Sequence, residues 1–439
     1  MNKLQSLLKK YLSSNDNKEV LQHSLLLFFM KIFFAFISFV LSIVIARNLS
    51  VDDSGVYFSI ISLVAVLSTV SRVGLDNTVT RFIAQANTEK NESKVSQVFS
   101  KAVKWSTIGS LLVALIFAMF GGGYIYYSQQ VESYLEVLFL IIIILPITSV
   151  NQILQQSFQG LKKTALFALF SGVARLITLF LLLIVLFFIN IVTLNIALYI
   201  FASATFIAFS LAMLMWNKQR DHAIINHCED KQLHQRMKKS CLSLWGVSCF
   251  AIIMADGVQV MIGLFSEAEQ ASYFAISMRV ASLVAFILVA INGILSPKFA
   301  EISTSNDPLR LQSVYRAATR LMLIITTPIL LGIFIFADNV LLVFGEQFQQ
   351  ATAVLRILVI AQFFKVAVGS VGQLLIMTGN ERCQRNNLFF SVIVLLVLCL
   401  LLIPFYGALG GAIATLCAIA TNNLLGLLQV KIKLNITLF

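Results

Sequence analysis

The chain has 439 residues, of which 59% are hydrophobic and 12% charged, and it carries a net charge of +12. A soluble protein of this size has about a quarter charged residues, so the composition excludes an ordinary water-soluble domain and belongs in lipid. The basic residues alternate from loop to loop instead of forming one patch, which argues against nucleic-acid binding.

Taken in chain order, residues 1–23 contain KLQSLLKKYL, where Leu4, Leu7, Leu8 and Tyr11 recur at helical spacing with Lys3, Lys9 and Lys10 between them. This predicts an amphipathic helix lying on the membrane surface. The first long apolar run is full length and has no small-residue cleavage site, so it reads as a membrane span and not a cleaved signal. Twelve apolar segments are each near the roughly 20 residues needed to cross a bilayer. They fall at 24–46, 54–74, 104–127, 134–158, 164–188, 190–216, 241–265, 272–296, 318–337, 351–378, 386–404 and 408–430. Of the 32 Lys and Arg residues, 25 lie in alternate loops and at the two ends, while Arg47 alone lies in the six intervening loops. The positive-inside rule then places both termini and the 217–240 loop in the cytoplasm.

The remaining loops carry little chemistry. His222, His227, Cys228 and His234 share the polar 217–240 loop without metal-ligand spacing, and the six cysteines show neither disulfide nor zinc spacing. No metal site and no cofactor is expected. Paired carboxylates, a phosphate-cradling loop and a nucleophile constellation are all missing, so the chain does not read as an enzyme.

An internal repeat divides the chain. LSVDDSGVYFSIISLV (49–64) matches FSEAEQASYFAISMRV (265–280) at an offset of 216, pairing Tyr57 with Tyr273, Phe58 with Phe274 and Ile60 with Ile276. The offset spans six crossings, an even number, so the two copies run parallel about an axis along the membrane normal. A six-helix lobe over 24–216, a basic inter-lobe loop over 217–240 and a second lobe over 241–439 follow. Such halves place a substrate site between them.

With Lys104 and Arg320, at the edges of their spans, counted among the loops, six bases lie inside predicted spans: Lys31, Arg72, Arg175, Arg279, Arg356 and Lys365. One acid, Asp256, is equally deep. A mid-bilayer charge costs at least about 2.5–3.5 kcal/mol, so such residues face protein or water and mark a pathway. On helical wheels Lys365 shares a face with Gln362, Gly369 and Gln373, Lys31 with Ser38 and Ser42, and Arg175 with Ser171 and Thr178. Arg279 aligns with Ser272 and Ser282, and Asp256 with Gln259 and Gly263. Arg72 aligns with Ser62 and Thr69 but sits near the cytoplasmic end, where snorkelling to the headgroups explains it equally well. Arg356, near the outer end, reads as snorkelling. The amides Asn151, Gln152, Gln155, Gln156 and Gln159 at the inner end of the fourth span suit sugar hydroxyls or simply a wet helix end. A cationic interior attracts anions, and Arg and Lys suit phosphate in particular.

Three stretches resemble one family. These are ARNLSVDDSGVYFSIISLVAVLSTVSRVGLDNTVTRFIA, the run from GLFSEAEQASYFAISMRVAS to ILSPKFAEIS, and the segment 344–415 containing LLIMTGNERCQRN and LLIPFYGALGGAIAT. They resemble the polysaccharide-transporter (Wzx-type) branch of the multidrug/oligosaccharidyl-lipid/polysaccharide exporter superfamily. The resemblance implies an all-α, MATE-like bundle of two six-helix lobes around a central cavity in the bacterial inner membrane. It also implies flipping of an undecaprenyl-diphosphate-linked oligosaccharide for O-antigen or similar surface polysaccharide, working beside other polysaccharide-assembly membrane proteins. Lys365, Arg175, Lys31, Arg279 and Arg72 are then the expected diphosphate and glycan ligands. Asp256 is either the group that couples transport to a proton or sodium gradient or a buried counterion. The alternative reading, an ion-coupled drug exporter of the same fold, calls for an acidic interior, and six bases against one acid do not supply it. Lys31 also stands where drug-exporting relatives commonly have an acid.

Overall fold

The computed structural model describes residues 15–123, 134–218, 231–304 and 308–436, and the described chain is helical throughout, without strands. The predicted surface helix falls outside these residues as far as position 14, as do His222, His227 and Cys228. From Asn15 the chain is already helix α1 (Asn15–Asn48). There follow α2 (Val51–Ser71), α3 (Leu75–Thr88), α4 (Glu92–Gly123), α5 (Tyr134–Gly160), α6 (Thr164–Ile189) and α7 (Leu194–Lys218). Then come α8 (Lys231–Ile252), a π-helical turn (Ile253–Gly257), α9 (Val258–Phe265), α10 (Ala268–Ser282), α11 (Ala285–Thr304) and α12 (Pro308–Ile335). Last are α13 (Ala337–Leu342), a 3-10 turn (Glu346–Ala351), α14 (Thr352–Ala367), α15 (Val371–Met377) and α16 (Glu381–Leu434).

Ten described segments are long and apolar enough to span a membrane. One of them, α16, is two helices. At Gly407 the backbone leaves the helical region with φ 51° and ψ −126°. Asn387 and Gln429, 42 residues apart, exchange amide hydrogen bonds of 2.9 and 2.7 Å, so the chain folds back on itself at Gly407. Gln270 caps the turn by accepting from the Ala408 N–H at 3.1 Å, which satisfies a donor freed at the start of the second arm. The α10–α11 pair, interrupted for two residues, completes twelve crossings among the described residues, and the protein is a multi-pass membrane protein. An even number of crossings returns the chain to the side on which it began.

The predicted spans hold as segments, but their interiors differ in three places. The seventh crossing contains the π turn, the eighth breaks at Leu283–Val284, and the tenth breaks at Val368–Ser370. In the tenth, Gly369 adopts φ +71°, where an L side chain is strained, and the Thr319 side chain fills the space a Cβ would need. Tyr315 donates to the freed Val368 carbonyl at 2.6 Å. The expected stripe running from Lys365 through Gly369 to Gln373 is therefore interrupted at the glycine. The basic segment after the second span is also more ordered than a loop. There α3, amphipathic and short, seats Leu75, Val79 and Ile83 against α4 and α5.

The two copies of the repeat meet at the outer end of the bundle. Ser50 caps α2 by accepting from the Asp53 N–H at 3.0 Å, and Asp52 and Asp53 favour the positive end of the helix dipole. One turn on, the hydroxyls of Ser54 and Ser272 are 2.6 Å apart, and a Cβ on Gly55 would lie 1.8 Å from the Ala268 carbonyl oxygen. Small residues let the two backbones touch, as they do where helices associate in membranes. Nearby, Arg47 Nε donates to the Val343 carbonyl at 2.8 Å. Replacing Gly55 with valine should force this seam apart. Overpacking costs about 1–3 kcal/mol, and a drop of several degrees in the melting temperature of the purified protein is expected. An unchanged melting temperature would show that the seam is loose.

Candidate functional site

Below the seam, α2, the seventh crossing, α10, α14 and the second arm of α16 line an open cavity of about 550 Å³. Phe58 and Phe274, partners in the repeat, line its outer part. Two cations, Lys365 and Arg279, and one acid, Asp256, face it, together with the amides Gln259, Gln362, Asn422 and Asn423.

Each group is placed by a local irregularity. Asp256 sits in the π turn, where the extra residue rotates the helix and turns this carboxylate toward α2, so that Ser62 donates to it at 3.2 Å. Three residues on, Gln259 donates to Ser59 Oγ at 3.3 Å and to the Ala271 carbonyl at 2.9 Å, and its own Oε1 is buried without a partner. Arg279 lies one turn before the break in the eighth crossing, with its guanidinium 3.9 Å from the centroid of the Phe58 ring. The contact is a cation–π interaction, attractive but leaving the N–H edges of the fork free. Lys365 occupies the last turn of α14, just ahead of the break at Gly369, where unpaired helix carbonyls favour a cation. It is half-buried and has no hydrogen-bond or ion-pair partner among the described residues. No described ion pair joins Asp256 to either cation.

The other predicted cations lie elsewhere. Arg175 on α6 donates to Ser38 Oγ of α1 and to the Ser171 carbonyl, both at 2.8 Å. Lys31 is exposed on the α1 face that carries Ser38, two turns away and opposite the exposed Phe29, Phe33 and Phe36. Both lie on the packed α1–α6 pair, and neither lines the cavity that holds Lys365. Arg72 is buried and engaged, with Nε 2.6 Å from Asp76 Oδ1 and Nη2 donating to Thr69 Oγ1 at 3.1 Å. Arg356 pairs with Asp338 at 3.5 Å near the outer end, in keeping with its expected peripheral place.

Of the α5 amides, Asn151 and Gln155 are buried, Gln156 accepts from Thr80 of α3 at 2.9 Å, and Gln159 is exposed. Among the described residues no group of three or more His, Cys, Asp and Glu could hold a metal ion, and His234 stacks edge-on against Trp105. Sequence reasoning passed over Asn422 and Asn423. Two adjacent amides in an otherwise apolar run, ATNNLLG, were the available signal.

The comparisons with known proteins agree with this architecture. The lipid II flippase MurJ, in an inward closed conformation, superposes with a TM-score of 0.74 at 15% identity, covering 93% of this chain and 87% of that one. A multidrug resistance MATE family transporter of the MOP superfamily, in its inward-facing conformation, gives 0.70 at 12% identity, covering 91% and 94%. At such identities the likeness is one of fold. The probable low-salt glycan biosynthesis flippase Agl15 of Haloferax volcanii is 24% identical over 195 residues, 43% of this chain and 41% of that protein, so the chain matches well under half the length of this relative. The family model described as polysaccharide biosynthesis protein matches residues 20–303, well over half of the chain. The protein therefore belongs to the polysaccharide biosynthesis protein family.

Proposed function

We propose that the protein is a flippase that moves an undecaprenyl-diphosphate-linked oligosaccharide from the cytoplasmic to the periplasmic leaflet of a bacterial inner membrane, by alternating access and without covalent chemistry. The observation that carries this reading is the pairing, in one cavity at membrane depth, of a lysine with no partner among the described residues and an arginine stacked on a ring with its N–H fork unbonded, against a single acid. Charges kept in such a place at a cost of a few kcal/mol each are matched to a ligand that supplies the missing anions. A diphosphate does so: the Arg279 fork takes two oxygens and Lys365 acts as a point charge. Gln259, Gln362 and Asn422 offer amide groups to sugar hydroxyls. The volume lies within the range of small-molecule pockets, so it suits the diphosphate and the first sugars while the prenyl tail stays in lipid. Arg175 and Lys31 provide a second anion-binding station on the α1–α6 wall. Family membership and the likeness to glycan-lipid and lipid II flippases support the same class.

Arg279 also ties the halves of the repeat together through Phe58, so a diphosphate that draws the guanidinium away loosens the outer seam as it binds. That links occupancy to opening. The cationic excess disfavours a cationic drug as cargo.

Complementation of a strain lacking its own repeat-unit flippase tests the reading. Wild type should restore surface glycan. Lys365→Ala and Arg279→Ala, expressed at wild-type level, should lower it about tenfold or more, the cost of removing one charge-assisted hydrogen-bond partner from an anion. Arg72→Lys should leave it nearly intact. Normal glycan from both cavity variants would refute the site assignment.

Asp256 is the acid available to couple transport to a cation gradient. In inverted vesicles an uncoupler should slow wild-type flipping several-fold and leave Asp256→Asn at one slow rate with or without the gradient. Equal sensitivity of the two proteins to the uncoupler would remove Asp256 from coupling.

A further inference from the structure

A second pocket, of about 320 Å³, lies at the inner end of the bundle, away from the transport cavity. Its base is Arg72, at the elbow between α2 and α3. One wall is Trp105 of α4, and the other is the first part of α8, with His234, Lys238 and Leu242. Arg72 is only 5% exposed. Asp76 takes its Nε and Thr69 its Nη2, while Nη1 is buried with no acceptor among the described residues. A buried guanidinium N–H without an acceptor marks an unfilled position for an oxygen. Lys238 and His234 stand one helical turn apart and exposed, so two further donors look onto the same space. The remaining lining is apolar, and Val73 and Leu242 carry it out to the exposed flank of the bundle.

The geometry points to a binding site for the phosphodiester of an anionic phospholipid, with phosphate oxygens on Arg72 Nη1 and Lys238 and the first part of an acyl chain along Trp105, Leu242 and Val73. The cations alone would suit free phosphate. The apolar walls, and the position at the end that the basic loops mark as cytoplasmic, favour the lipid. The ligand also has a structural consequence, because the pocket straddles a joint. Gly74 packs against the Cys241 carbonyl, and Trp245 Nε1 donates to the Val70 carbonyl at 3.2 Å. A lipid held by α2, α3, α4 and α8 at once fixes the inner end of the seventh crossing to the second.

The test is a binding measurement on the purified full chain after delipidation in detergent, read by native mass spectrometry and melting temperature. Phosphatidylglycerol should form a one-to-one adduct and raise the melting temperature by several degrees, whereas phosphatidylcholine and inorganic phosphate should do neither. Lys238→Gln, at an exposed position that leaves the fold intact, should weaken the adduct about tenfold, and Arg72→Gln should abolish it. Equal stabilisation by phosphatidylcholine, or an adduct unchanged in Lys238→Gln, would overturn the proposal. A shift produced by inorganic phosphate alone and lost in Lys238→Gln would overturn the lipid assignment. The readout is independent of transport, so its failure leaves the transport cavity untouched.

Discussion

The close crossing of α2 and α10 at Gly55 is the constraint on which the rest of the arrangement depends. The Ala268 carbonyl lies where a Cβ on residue 55 would be, so the two repeat copies touch backbone to backbone at their outer ends. Helices that meet at one end and carry larger side chains further along must diverge. Phe58 and Phe274 come next on the two helices, and the cavity begins at their level. The space holding Lys365 and Arg279 is thus a geometric result of small residues at the top of two related helices. Hydroxyl and amide contacts from α2 to the seventh crossing, Ser62 to Asp256 and Gln259 to Ser59, then steady its wall.

The cavity level is also where the helices stop being regular. The π turn holds Asp256, the break at Leu283–Val284 follows Arg279, and the break at Val368–Ser370 follows Lys365. In hydrocarbon an unpaired backbone group costs several kcal/mol, so irregular backbone survives at that depth only where protein or a polar space satisfies it. Tyr315 does this for the Val368 carbonyl, and beside it the Ser370 hydroxyl donates to the Asn292 side chain. Irregularity and charge fall together because both need the same polar surroundings.

This explains what was readable from sequence. The crossings and their alternating basic loops follow from hydropathy and Lys/Arg placement, quantities summed over many residues, and the repeat from residue matches at one offset. The reversal at Gly407 was readable too, since an apolar run interrupted at PFYGALGG is too long for one span. The interior breaks were not. A π turn adds a single residue to a segment whose hydropathy is unchanged, and Gly369 looks like any small residue on a helical stripe until its φ is known. Membership of the cavity was half legible. Polar stripes identified Lys365, Arg279 and Asp256 as facing protein. That the three share one space while Arg175 and Lys31 belong to another wall depends on which helices adjoin, and hydropathy does not encode adjacency.

Arg72 and Arg279 show how far local surroundings divide residues that the sequence presents alike. Both are arginines in predicted spans, aligned with serines and threonines. Arg72 stands three residues after Thr69 and four before Asp76, and the elbow between them, where Val73 and Gly74 take positive φ, brings it both a hydroxyl and a carboxylate. Arg279 has no acid at a comparable offset on α10 and finds the face of an aromatic ring instead. A ring holds a guanidinium in place without consuming its hydrogen bonds, and a carboxylate consumes them. The same logic separates Arg356, paired with Asp338, from Lys365, which has no partner nine residues on. In a low-dielectric interior a paired cation contributes to the scaffold, and a cation left with free donors next to an open volume is available to a ligand. By that criterion the charges offered to the open cavity are those the protein positions but does not neutralise.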